Sequence, residues 1–116
     1  MFDEITEISL LYDFYGALLT PRQREVMQFY HEENYSLSEI AEEFGISRQG
    51  VHDTLKKAEH LLREYEEKLG LVARLAETQA RIEEIDRRLQ DVMKDADSST
   101  ADRLEDIRKY IDSLDL

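Results

Sequence analysis

The chain has 116 residues, 36% of them charged and 41% hydrophobic, enough for one modest core and little beyond it. Cysteine is absent, which excludes disulfides, thiolate metal sites and cysteine nucleophiles, while one Pro and four Gly are too few for a turn-rich β sandwich and favour long helices. The formal charge is −12, spread as −4 over each of residues 1–19, 20–69 and 70–116, so long-range repulsion of phosphate backbones is built into the whole chain.

The opening Met1-Phe2-Asp3-Glu4 is acidic where a signal peptide needs bases, and no apolar run approaches the ~20 residues of a membrane span. The expectation is a soluble, cytoplasmic protein without a membrane span. From Asp3 to about Leu19, apolar residues recur at threes and fours: Ile5, Ile8, Tyr12, Tyr15 and Leu19, widened by Leu11 and Leu18. That spacing predicts an amphipathic helix. Thr20-Pro21-Arg22-Gln23 restarts the chain, with Thr20 as cap, Pro21 at the first helical position and Gln23 completing a capping box. The helix it opens carries Val26, Met27, Phe29 and Tyr30 and fades near Asn34.

Ser36-Leu37-Ser38-Glu39 is a second capping box, opening a short helix with Leu37, Ile40, Ala41 and Phe44 inward. Gly45 is placed to end it in the left-handed conformation, and Ile46 is expected to plug the turn. Ser47 caps the next helix, whose inward residues are Val51, Leu55, Ala58, Leu62, Tyr65, Leu69 and Val72. Near Gly70 the phase breaks. A heptad register follows on Leu71, Leu75, Thr78, Ile82, Ile85, Leu89, Val92 and Ala96. Asp95 to Thr100 is polar and reads as a frayed end running into a loop, before a last short helix with Leu104, Ile107, Ile111 and Leu114 on one face. The fold expected is all-α, about six helices. Residues 1–69 form a compact helix-turn-helix domain (motif 36–57), and residues 70–116 a carboxy-terminal helical arm and tail serving oligomerisation.

Residues 36–57 carry the most information. A small Ala41 at the helix crossing, Gly45 in the turn, and Ile46, Val51 and Leu55 between the helices are the arrangement of a helix-turn-helix. Its second helix would present Arg48, Gln49, His52, Asp53, Lys56 and Lys57 outward, and these are the candidate nucleic-acid contacts. Arg and Gln can bond base edges in pairs, and Lys suits phosphates. The competing reading is a helical hairpin that packs and reads nothing, and the acids Glu39, Glu42, Glu43, Asp53 and Glu59 favour it.

Leu19-Thr20-Pro21-Arg22-Gln23-Arg24-Glu25-Val26, Tyr35-Ser36-Leu37-Ser38-Glu39-Ile40-Ala41-Glu42 and Ser47-Arg48-Gln49-Gly50-Val51 together resemble region four of bacterial sigma factors, which binds promoter DNA. With Leu11-Tyr12-Asp13-Phe14-Tyr15, Tyr65-Glu66-Glu67-Lys68-Leu69 and Ile107-Arg108-Lys109-Tyr110-Ile111, essentially the whole chain resembles the YlxM family of small sigma-region-four-like proteins. Members are usually encoded beside the signal recognition particle GTPase and its receptor. The resemblance therefore implies a regulatory or accessory role in co-translational targeting, with that GTPase, its receptor or the particle RNA as partner. Two departures from sigma region four stand out. The second motif helix continues as Asp53-Thr54-Leu55-Lys56-Lys57-Ala58-Glu59 without a dense basic run, and no counterpart of the polymerase-gripping domain is present. A DNA-binding transcriptional regulator is the alternative, and an RNA-binding accessory a third.

Other signals favour bland readings. His52 and His60 lie eight apart on one helix, and His31-Glu32-Glu33 lacks a second His four residues on, so surface histidines are expected and no metal or other cofactor. No phosphate loop, nucleophile elbow or paired-carboxylate motif points to an enzyme. Tyr12, Tyr15, Tyr30 and Tyr35 suit a core better than base stacking. The stripe from Leu71 to Ala96 predicts a homodimer, and in a parallel pair Arg81 would face Asp86 of the second chain.

Overall fold

The computed structural model of the chain describes residues 3–114, and every regular element among them is helical. Helix α1 (Glu4–Tyr15) runs into one 3-10 turn (Gly16–Leu18), and α2 (Pro21–Met27) continues as one π-helical turn (Gln28–Glu32). Then follow α3 (Leu37–Phe44), α4 (Arg48–Leu69), α5 (Leu71–Lys94) and α6 (Ser98–Asp112). The fold is all-α, as the periodicity predicts. None of these helices is long and apolar enough to cross a membrane.

The ends of the helices follow from local chemistry. Thr20 Oγ1 accepts the Gln23 N–H at 3.2 Å, and the Gln23 side chain returns a bond to the Thr20 N–H at 3.0 Å. Ser36 and Glu39 do the same, both at 3.1 Å. Each box satisfies two N–H groups that a helix start leaves without an intrahelical partner. Gly45 ends α3 at φ 66°, and the Ile46 N–H reaches back to the Ala41 carbonyl at 3.1 Å. A Cβ at Gly45 would meet nothing within 4 Å, so its cost is backbone strain alone. Gly45→Ala should therefore destabilise the chain by about 1–2 kcal/mol, read by denaturant unfolding, with Gly45→Asn losing less.

The chain divides into two compact units, the first ending at Val72 and the second starting at Ala73. In the first, α4 is the hub that α1, α2 and α3 all touch. Ile8, Leu11, Tyr15, Leu19, Val26, Met27, Ile40, Ala41, Val51, Leu55, Ala58, Leu62 and Val72 form its core. Ile5, Leu18 and Leu69, expected inward, are exposed, Leu69 because it is the last residue of its helix, before a left-handed glycine. The α-helical phase stops at Tyr15, and the tighter 3-10 turn carries Leu18 off the stripe. The π-helical turn re-aims the next aromatics: Phe29 packs 4.9 Å from Tyr35 and edge-on to Phe44 at 5.4 Å. Asn34 then turns the chain at φ 57°, a conformation Asn tolerates.

At the end of α4 a second left-handed glycine, Gly70 (φ 65°), lets α5 start anew. The Tyr15 hydroxyl, in the core, donates to Glu66 Oε1 at 2.6 Å and accepts the Leu71 N–H at 3.0 Å. The same Glu66 oxygen accepts the Val72 N–H at 3.0 Å. The first two N–H groups of α5 are thus capped by side chains from α1 and α4.

In the second unit α5 and α6 form an antiparallel pair. Arg108 on α6 bonds both oxygens of Asp86 on α5, at 2.7 and 3.3 Å, and holds that carboxyl below the usual carboxylate range. Asp97 caps α6 by accepting the Thr100 N–H at 2.7 Å. Ser98, Ser99 and Thr100, read from sequence as loop, are instead its first turn. Aspartate and serine are common both in loops and at helix starts, and no apolar stripe nearby decides between the two.

Candidate helix-turn-helix interface

The motif is α3, the Gly45 turn and α4. Ile40 and Val51 are fully buried at the crossing, with Leu55 and Ala41 nearly so, which fixes the angle between the two helices. Ile46 departs from expectation. It remains 36% exposed, leaning over the first turn of α4, where Gly50 has no side chain to hold it off. Ser47 caps α4 by accepting the Gly50 N–H at 3.0 Å, so the exposed first turn has a fixed backbone.

All six candidate contacts are exposed on α4: Arg48, Gln49, His52, Asp53, Lys56 and Lys57. They are not equally available. Gln49 Nε2 donates to Asp53 Oδ1 at 2.9 Å, and His52 Nδ1 stands 3.6 Å from the same oxygen. Reading adenine with both ends of a glutamine amide needs that N–H₂ group. In this arrangement Gln49 must leave Asp53 to do so. Lys56 Nζ lies 3.9 Å from Glu59, which also faces His31 at 3.5 Å. Arg48 and Lys57 make no ion pair among the described residues. Elsewhere in the first unit Arg22 lies over the Phe44 ring at 4.6 Å, and Arg63 pairs with Glu7 at 2.9 Å. Residues 1–72 carry seven bases against fifteen acids. Among the six candidate residues, then, two cations stand without an ion pair, in a stretch of chain with a large acidic excess.

Several features were missed by sequence reasoning. His31 is half-buried rather than superficial, and its Nε2 lacks a hydrogen-bond partner beside Glu59. Nothing in the local pattern places α4 against it. The Gln49–Asp53 bond, in contrast, has the i,i+4 spacing of a helical pair and was available to inspection. Tyr15 is wholly buried, Tyr12 and Tyr35 half-buried and Tyr30 exposed, so three of the four aromatics are drawn into packing. Among the described residues no three His, Cys, Asp or Glu side chains gather as a metal site would need.

The chain as a whole is similar to known proteins. Residues 2–105 match a family model described as UPF0122, "Putative helix-turn-helix protein, YlxM / p13 like". A UPF0122 protein of Thermoanaerobacter sp. is 44% identical across the whole of both chains. Another, of Caldanaerobacter subterraneus subsp. tengcongensis, is 55% identical over 73% of each. A third, of Listeria welshimeri, is 42% identical over 77% of this chain and 81% of its own.

Proposed function

The chain belongs to the UPF0122 family of YlxM / p13-like helix-turn-helix proteins, and from that premise we propose that it is a non-enzymatic regulatory protein that acts by binding a macromolecule. The partner is a basic surface of the co-translational targeting machinery: the signal recognition particle GTPase, its receptor or the particle's ribonucleoprotein. Two supports carry this reading. One is the resemblance to YlxM proteins. The other is the motif face itself, where Asp53 holds Gln49 and His52 and only Arg48 and Lys57 remain unpaired cations. Two phosphate contacts would give little affinity at physiological salt, whereas an acidic surface suits a basic protein. The protein works in the cytoplasm, as a homodimer.

DNA reading is the second interpretation, favoured by the exposure of Arg48 on the first turn of α4. The two separate cleanly with purified components. Binding to the targeting GTPase or its ribonucleoprotein should weaken with added salt, survive Arg48→Ala with Gln49→Ala, and alter GTP hydrolysis. If the motif reads DNA instead, selection from random duplexes should enrich a sequence, and Arg48→Ala should cost about 1–3 kcal/mol at one base position. Absence of binding to either targeting component, alongside retention of a specific duplex, would overturn the first reading in favour of the second.

A further inference from the structure

Of the six candidate contacts on α4, the one turned most directly away from the core is an acid. Counting round the helix at about 100° per residue, the buried Val51, Leu55, Ala58 and Leu62 cluster on one side, and Asp53 lies roughly 170° from their mean direction. Gln49 and Lys56 flank it on one side of that outward line and Lys57 on the other. The Asp53 side chain is 67% exposed. A recognition helix enters the major groove with its amino-terminal turns against the base edges. Laid there, α4 would aim this carboxylate at the groove floor, between two rows of phosphates.

We infer that Asp53 is a specificity-determining residue that bars duplex DNA from the motif. The inference rests on the reading that the partner is a basic surface, and adds the residue that turns the motif away from DNA.

Asp53 acts in two ways. Its Oδ1 accepts a hydrogen bond from Gln49 Nε2 at 2.9 Å and stands 3.6 Å from His52 Nδ1, so two polar neighbours are drawn to one oxygen of their own helix. A base contact through the Gln49 amide must first break a bond to a charged acceptor, which is stronger than a bond between neutral groups. The carboxylate also sets like charge against the phosphates. The rest of the face is not hostile to a groove. Arg48 and Lys57, which have no ion pair among the described residues, stand roughly 180° apart round the axis, on the flanks that would meet its two walls. The obstacle is thus concentrated at one residue. A carboxylate can also serve DNA, by accepting from the amino group of cytosine. The bond from Gln49 opposes that use, because it occupies an Asp53 oxygen and the Gln49 amide together.

Duplex binding by the full chain decides the matter, followed as the fluorescence anisotropy of a labelled DNA duplex of mixed sequence at about 0.1 M salt. The unaltered protein should bind weakly. Asp53→Ala should bind roughly tenfold more tightly, the effect of removing one like-charge juxtaposition at the contact. The gained binding should fall away by about 0.2 M salt and on addition of Arg48→Ala. Glu67→Ala is the control. It removes the same charge from an exposed position of the same helix, about 21 Å farther along and beyond the ~10 Å over which exposed charges act at this salt. It should leave binding nearly unchanged, and circular dichroism should show equal helicity in all the variants. Equal binding by Asp53→Ala and Glu67→Ala would overturn the role of Asp53 and leave the basic-partner reading standing. Weaker binding by Asp53→Ala would overturn it as well and assign the carboxylate to a cytosine. So would a gain that survives Arg48→Ala, which would put the duplex elsewhere on the chain. Tight duplex binding by the unaltered protein, abolished by Arg48→Ala, would overturn both the role and the reading it rests on.

Discussion

Replacing Leu62 with Ala should cost about 2–5 kcal/mol, a large share of the roughly 5–15 kcal/mol that holds a domain of this size together. Leu62 has no exposed surface and sits on α4, the helix touched by α1, α2 and α3 alike. Its removal leaves a cavity that three other helices cannot all close at once, so the cavity penalty adds to the lost transfer energy. Its neighbour Leu61 is only half-buried and serves as the internal control. The Leu61→Ala variant should lose about 1–2 kcal/mol. Thermal unfolding of the two separates them, with a melting point for Leu62→Ala lower by at least about 10 °C. Equal losses at the two positions would mean that α4 is not the hub of the first unit.

Replacing Tyr15 with Phe should cost about 1–3 kcal/mol, because a single hydroxyl serves Glu66 and the Leu71 N–H together and both are left short in a part-buried place. The pH dependence carries a second signature. Burial, reinforced by the bond to Glu66, pushes the Tyr15 phenol above its ordinary value of 10.0. At pH values just above 10 the unfolded chain has released this proton and the folded chain still holds it. Its stabilisation is therefore complete below about pH 10 and is lost as pH rises through the folded value. Burial raises Tyr12 too, so the informative quantity is the difference between the unaltered protein and Tyr15→Phe. That difference in unfolding free energy should shrink between neutral pH and pH 11. A constant difference would show that folding does not raise the phenol's value.

What was legible in the sequence was local. The Thr20 and Ser36 boxes, the Ser47 cap and the Gly45 turn each involve residues within a few positions of one another, and each occurs where its residue types predict. The core of the first unit followed from period, except at Ile5, Leu18, Ile46 and Leu69, where a helix start, a 3-10 turn, the motif turn and a helix end leave an apolar residue in water. What escaped was long in range. No pattern around Tyr15 announces Glu66, 51 residues later, and none around Asp86 announces the return of Arg108. The candidate interface shows the same division. Its candidate residues follow from helical spacing, as does the Lys56–Glu59 pair three apart on α4, but the approach of His31 to Glu59 depends on how α4 lies against the residues after α2.

The separation between α1 and its partner has a consequence for synthesis. The bond from Tyr15 to Glu66 and the pair between Glu7 and Arg63 span 51 and 56 residues, and both reach toward the far end of α4. A chain made from its amino end at about 5–20 residues per second therefore carries α1 for roughly 3–10 s before the helix that covers Ile8, Leu11 and Tyr15 exists. During that interval the earliest part of the protein is an acidic helix with a bare apolar stripe. It would be open to any cellular component that captures such stripes, whereas Asp86 of α5 would wait only about 1–4 s for Arg108 of α6, 22 residues later.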